Sequence, residues 1–110
     1  MRIGLFLAKV AETPPVTSPL FTETERRYCL ERRHPEPHLA GRYAAKRAAC
    51  LALGGNEGEM AGDIEVVREP GRAPTLRFHG AAKRAGAPAV NGHVSISHSG
   101  NYAVALVVIE

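Results

Sequence analysis

Three cations stand on one alanine-rich stretch of this chain. Between Gly41 and Gly55 the sequence GRYAAKRAACLALGG is almost entirely small or apolar, and Arg42, Lys46 and Arg47 are its only charges. The closing glycine pair is a helix stop. At about 100° per residue, Arg42 and Lys46 share one stripe a turn apart, and Arg47 points about 100° further round. Cations on an otherwise apolar helix suit phosphate oxygens, which a guanidinium engages in a planar, two-pronged way. The plainer use of such a pair is a solvated helix edge. Arg47 is open to two uses, phosphate contact or a surface ion pair. A second polar group lies in His93-Val-Ser-Ile-Ser-His98. Its alternation turns Val94 and Ile96 inward and leaves His98 at the strand end, for ligand contact or for capping the turn at Ser99-Gly-Asn101. Ser97 and Ser99 can donate to phosphate or satisfy that turn. No Ser-His-Asp hydrolase arrangement follows from them, and His93 reads as a strand residue.

The elements that must position these groups follow from pattern. Ile3 to Val10 reads as a buried strand, followed by a proline-rich connector from Ala11 to Pro19. Thr22-Glu-Thr-Glu25 is a capping box that starts a helix running from about Glu23 to about Arg33, stopped by Pro35 and Pro37. The cation-bearing helix spans about His38 to Leu53, and its close-packed alanines call for a sheet wrapped around it. Asp63–Val67 and Thr75–Phe78 are strands joined by Glu69-Pro-Gly-Arg72. Ala81–Ala85 is a short helix bounded by Gly86 and Pro88. Tyr102–Ile109 is a nearly all-apolar strand whose two faces should both be covered. Asp63 and Glu65 read as structural, and Tyr43 and Tyr102 as core or interface aromatics.

Composition limits the function. The chain has 110 residues, 45% of them apolar, which suits one domain with a modest core. The net charge of +3 is compatible with an acidic or phosphorylated partner. Nucleic acid is not expected as a partner, because there is no basic run and only 5% of residues are aromatic. Cys29 and Cys50 lack any CxxC or Cys/His spacing and read as reduced thiols. The apolar run Ile3–Ala8 is too short for a signal-peptide core and nothing reaches a membrane span, so a cytoplasmic protein is expected.

Three blocks together resemble the holo-acyl-carrier-protein synthase family, the small trimeric phosphopantetheinyl transferases. They are Leu39-Ala-Gly-Arg-Tyr-Ala-Ala-Lys46 ending at Leu53-Gly54, Asp63-Ile-Glu-Val66 with its Gly-Arg-Ala-Pro turn, and His93–His98 running into Tyr102-Ala-Val-Ala105 and Val107-Val-Ile-Glu110. The match runs from about Phe21 to the C-terminus. It implies an α+β phosphopantetheinyl transferase fold over residues 1–110, with antiparallel strands packed on a long central helix. It also implies a homotrimer with coenzyme A bound between subunits. Family enzymes move the phosphopantetheine arm of coenzyme A onto a serine of apo acyl carrier protein, and adenosine 3′,5′-bisphosphate leaves. That phosphoryl transfer calls for a divalent metal, ligands for it and a base. By the same resemblance Arg42 and Lys46 lie close to coenzyme A phosphates, His98 at the coenzyme A site, and Gly71 and Pro74 near the nucleotide, in a turn one residue longer than the family's.

The pattern departs at the reacting centre. The family's magnesium ligands are an aspartate on the first strand and a glutamate after the Ala-Ala-Lys motif. Here those positions are Ala8 and Arg47, and Leu51 replaces a lysine one turn later. The family's carrier-docking helix gives way to the prolines from 14 to 19. Magnesium favours hard oxygen ligands, so a standard magnesium site is not expected. Arg47, with Lys9, could stand in the metal's place and hold a pyrophosphate without it. Two expectations follow. One is a transferase-family protein of fatty acid or polyketide synthesis that is catalytically impaired or metal-independent. The other is a non-catalytic coenzyme A-binding or scaffold subunit of a carrier-protein pathway.

Overall fold

The computed structural model describes residues 1–86, 89 and 91–110. Pro88, expected to bound the short fourth helix, lies outside the described residues. Five strands form one antiparallel sheet in the order β1-β5-β4-β3-β2. They are β1 Arg2–Lys9, β2 Ile64–Val67, β3 Thr75–Phe78, β4 Asn91–Ser99 and β5 Tyr102–Ile109, accompanied by helices α1 Glu23–Leu30, α2 Pro35–Leu53, α3 Glu57–Met60 and α4 Gly80–Gly86. The fold is α+β, as the sequence implies.

The sheet wraps α2, whose alanines at 44, 45, 48 and 49 are fully buried. Small side chains let backbones approach, and Gly4 carries this furthest: a Cβ there would lie 1.8 Å from the Ala48 carbonyl oxygen. Gly41 similarly admits Ile96, whose Cγ2 would stand 2.9 Å from an added Cβ. Left-handed Gly54 (φ 71°) closes α2. Its N–H donates to the Leu51 carbonyl, and that of Gly55 to Cys50. This is the exchange expected of a glycine-terminated helix.

Pro35 does not end α1. It opens α2 at the first helical position, where a missing N–H costs nothing and the fixed φ suits a helix. The connector between the two helices therefore lies about three residues earlier than expected, and α1 stops at Leu30. Outward, β1 and β5 leave a face open. Ile3, Leu5, Leu7 and Leu106 are 58%, 61%, 59% and 42% exposed, with Leu5 paired opposite Leu106. The expectation that both faces of β5 are covered is met within this chain only on the α2 side.

A buried ion pair ties the layers together. Lys46 and Glu25 are fully buried, with Nζ 2.8 Å from Oε1. The same Oε1 accepts the Thr22 N–H at 2.8 Å, and Oε2 accepts the Val66 N–H at 2.7 Å. Lys46 also donates to the carbonyls of Ala61 and Ile64. One carboxylate thus caps α1, neutralises α2 and holds β2. Burial pushes the Lys46 ammonium below its ordinary range, and the Glu25 charge pulls against that shift. Lys46→Met leaves Glu25 buried and unpaired. It is expected to cost about 3–5 kcal/mol in urea unfolding, and Glu25→Gln/Lys46→Met together less than the sum of the single changes.

Candidate functional site

A small basic pocket opens where the N-terminal half of α2 meets α1 and the end of β4. Tyr28, His38, Gly41, Arg42, Arg68, Ile96 and His98 line a volume of about 200 Å³. The helix places His38 and Arg42 on one face, four residues apart. Strand alternation puts Ile96 and His98 on the same side of β4. Arg42 is 5% exposed, and its guanidinium carbon lies 4.1 Å from the Tyr28 ring centre. Arg32 stacks on the same ring at 4.5 Å. The His38 and His98 rings meet edge to face at 5.1 Å. Among the described residues the Arg42 Nε–H is buried without a hydrogen-bond partner. Desolvation first, then His98, Arg42, Arg32 and Arg68, lower the pKa of His38. Among the described residues no carboxylate lines the pocket. Buried donors normally find acceptors, so an orphan N–H among cations suits an anionic oxygen.

The surroundings of positions 8 and 47 have a different chemistry. Ala8 is 3% exposed, on the face of β1 that meets α2. The Arg47 guanidinium lies 4.5 Å from the Phe6 ring centre. Its Nη1 donates to the Tyr43 hydroxyl at 2.8 Å and pairs with the Glu57 carboxylate at 3.1 Å. Of the two uses left open for Arg47, the structure places it in the ion pair. Lys9 lies on the opposite face of β1 from Ala8 by strand alternation. It approaches Glu12 at 3.9 Å and does not join Arg47. Leu51, in the family's lysine position, is 59% exposed. Among the described residues no three His, Cys, Asp or Glu side chains gather to hold a metal. A methyl group, a guanidinium and one carboxylate already paired do not fit magnesium. Burial and the Glu57 charge push the neighbouring Cys50 thiol up to about 11, and both cysteines are free and buried.

The sequence-predicted residues therefore separate. Arg42 and His98 come together in the pocket. Lys46 does not line it: its ammonium is directed into the core, where Glu25 and two carbonyls engage it. Ser97 pairs opposite Val104 and faces the other side of the sheet from His98. Gly71 (φ 76°) and Pro74 stay in the β2–β3 turn and do not line the pocket. Asp63 is structural as expected, since its Oδ2 accepts the Ala81 N–H at 3.0 Å at the start of α4. Sequence reasoning missed Tyr28, His38 and Arg68. Only His38 carried a signal, its four-residue spacing from Arg42.

No family model matches the chain. A holo-[acyl-carrier-protein] synthase of Koribacter versatilis is 42% identical over 95 residues, covering 83% of this chain and 76% of the relative. The Mycobacterium tuberculosis acyl carrier protein synthase structure superposes with a TM-score of 0.78 at 30% identity, covering 99% of this chain and 96% of that one. A Bacillus anthracis holo-(acyl-carrier-protein) synthase solved in complex with CoA gives 0.74 at 28% identity, over 96% and 92% of the two chains. All three align along most of the present chain.

Magnesium is expected to leave the unfolding temperature of the protein unchanged, with or without chelator. Arg47→Glu sets a second carboxylate beside Glu57. In that variant added magnesium should raise the unfolding temperature, as ligand binding to the native state must. A thermal melt of both proteins checks it, and a magnesium shift in the unaltered protein would contradict the reading of this site.

Proposed function

The chain belongs to the holo-[acyl-carrier-protein] synthase family, and from that premise we propose that it binds coenzyme A and that its transfer of phosphopantetheine to a carrier protein is impaired or metal-independent. The observation that carries this reading is the contrast between two places in one fold. The Arg42/His98 pocket offers an anion free guanidinium donors, whereas at positions 8 and 47 the counter-charge is internal. Phosphoryl transfer depends on positioned positive charge to neutralise the reacting phosphates. Arg47 stands where the family has a magnesium-binding glutamate, and Glu57 already neutralises its charge.

The relatives' name supplies the acceptor class, an acyl carrier protein, and the structure in complex with CoA supplies the ligand. Assembly as a homotrimer accounts for the open rows of Ile3, Leu5, Leu7 and Leu106, an apolar surface of the kind that marks a protein contact. No helix among the described residues is long and apolar enough to cross a membrane. The proposal extends to one domain over residues 1–110, working in the cytoplasm in a carrier-protein pathway.

The test is the mass of a purified apo carrier protein after incubation with this protein, coenzyme A and magnesium, beside a known synthase. No gain, or gain at least about 100-fold slower than the control, is expected, since a lost charge-stabilising group costs on that order. Gain of a phosphopantetheine group at the control's rate would overturn the impaired reading. Calorimetry should show coenzyme A binding that a chelator does not weaken, and Arg42→Leu should weaken it about 10-fold or more. Leu5→Lys should reduce the mass measured by light scattering from three chains to one.

A further inference from the structure

The pocket surrounds an imidazole with positive charge. His38 stands in the first turn of α2, whose positive dipole end disfavours a cation there. Each element around it adds to that bias. From the α1 side come Tyr28, with its ring centre 6.0 Å from that of His38, and Arg32, stacked on Tyr28. Arg42 follows one turn along α2, Arg68 comes from beyond β2, and His98 comes from β4 at 5.1 Å. Among the described residues, no acidic group lines the pocket itself. Glu36, on the same helical turn, lines the apolar groove with Val10 and Leu39. Glu31 lines a surface hollow with Glu23 and Arg27 and, 3.9 Å from the Arg32 guanidinium, offsets part of the Arg32 charge at an exposed position. Glu25 is held by Lys46.

We propose that His38 is a proton-gated ligand of this pocket: neutral in the free protein, it takes up a proton when a dianionic phosphomonoester or sulfate enters, so that anion binding and proton uptake are one event. This rests on the reading that a coenzyme A phosphate enters here. The lowered titration of His38 in the free protein has the direction this requires. A dianion beside Arg42 reverses the local field and favours the imidazolium, which then adds a charged donor to the orphan Nε–H of Arg42. By linkage, a group whose pKa is raised on binding makes affinity strongest below the free-state pKa. The affinity is lost as pH rises through the bound-state pKa, by up to about tenfold per pH unit. A phosphomonoester's own second ionisation, near about 6, acts in the opposite sense. Sulfate stays dianionic across the range and separates the two.

Two measurements on the intact protein decide it. First, the histidine ring resonances are titrated by NMR in sodium sulfate and in sodium chloride of equal ionic strength, with His38→Gln assigning the signal. Sulfate should move the His38 midpoint up by about one pH unit or more. Second, calorimetry with coenzyme A, in buffers of differing ionisation heat from about pH 6 to about pH 8, should show net proton uptake. Affinity should fall at least about fivefold across that window, and both effects should vanish in His38→Gln. Coenzyme A binding without proton uptake, with His38 blind to sulfate, overturns this inference and leaves the coenzyme A reading standing. A sulfate response without coenzyme A binding does the reverse. Neither response overturns both.

Discussion

The contact between Lys46 and Glu25 sits where three elements would otherwise be free to slide. A charge pair this deep gains its attraction only if every remaining lone pair and proton is met. Here the partners are the first amide of α1's cap, an amide of β2 and two carbonyls near the start of β2. That requirement fixes the position of α1 against α2 and of β2 against both. Tyr28 on α1 and Arg68 beyond β2 are thereby brought to the same pocket as Arg42 on α2. The geometry that faces an anion is set from inside the core.

This explains why one stripe of the helix serves two purposes. Arg42 and Lys46 are one turn apart and look equivalent in sequence, both cations among alanines. The difference lies in what covers them. α1 and the chain entering β2 close over position 46, while position 42 meets the end of β4 and remains at an opening. Periodicity specifies which residues share a face, and carries nothing about which loop closes over that face. The partner of Lys46 was nevertheless present in the pattern, since Glu25 was recognised as the capping-box acid. Its second oxygen is what reached across the fold.

The fold itself was largely legible. The capping box at Thr22 and the glycine stop at Gly54 are short-range signals, and both appear where expected. β5 runs from Tyr102 to Ile109 as its unbroken apolar run suggested. Pro35 was misread because proline breaks a helix interior and also begins a helix, and only the neighbouring chain decides between these. The site was less legible because its members come from α1, α2, the end of β2 and β4. Tyr28 and Arg68 have no sequence neighbour that announces them. Ser97 and His98 are neighbours in sequence, but the single-residue alternation of a strand sends them to opposite faces.

The Arg47–Glu57 pair bears on how the chain can change by mutation. Restoring a carboxylate at position 47 alone brings it against Glu57, and restoring one at position 8 alone buries it on a face lined by small apolar groups. Each step separately carries an electrostatic or desolvation penalty. A divalent ion held beside Glu57 relieves the first of these penalties and not the second. The order of substitution therefore matters. The present arrangement is a local minimum in sequence space, easier to enter than to leave by single replacements.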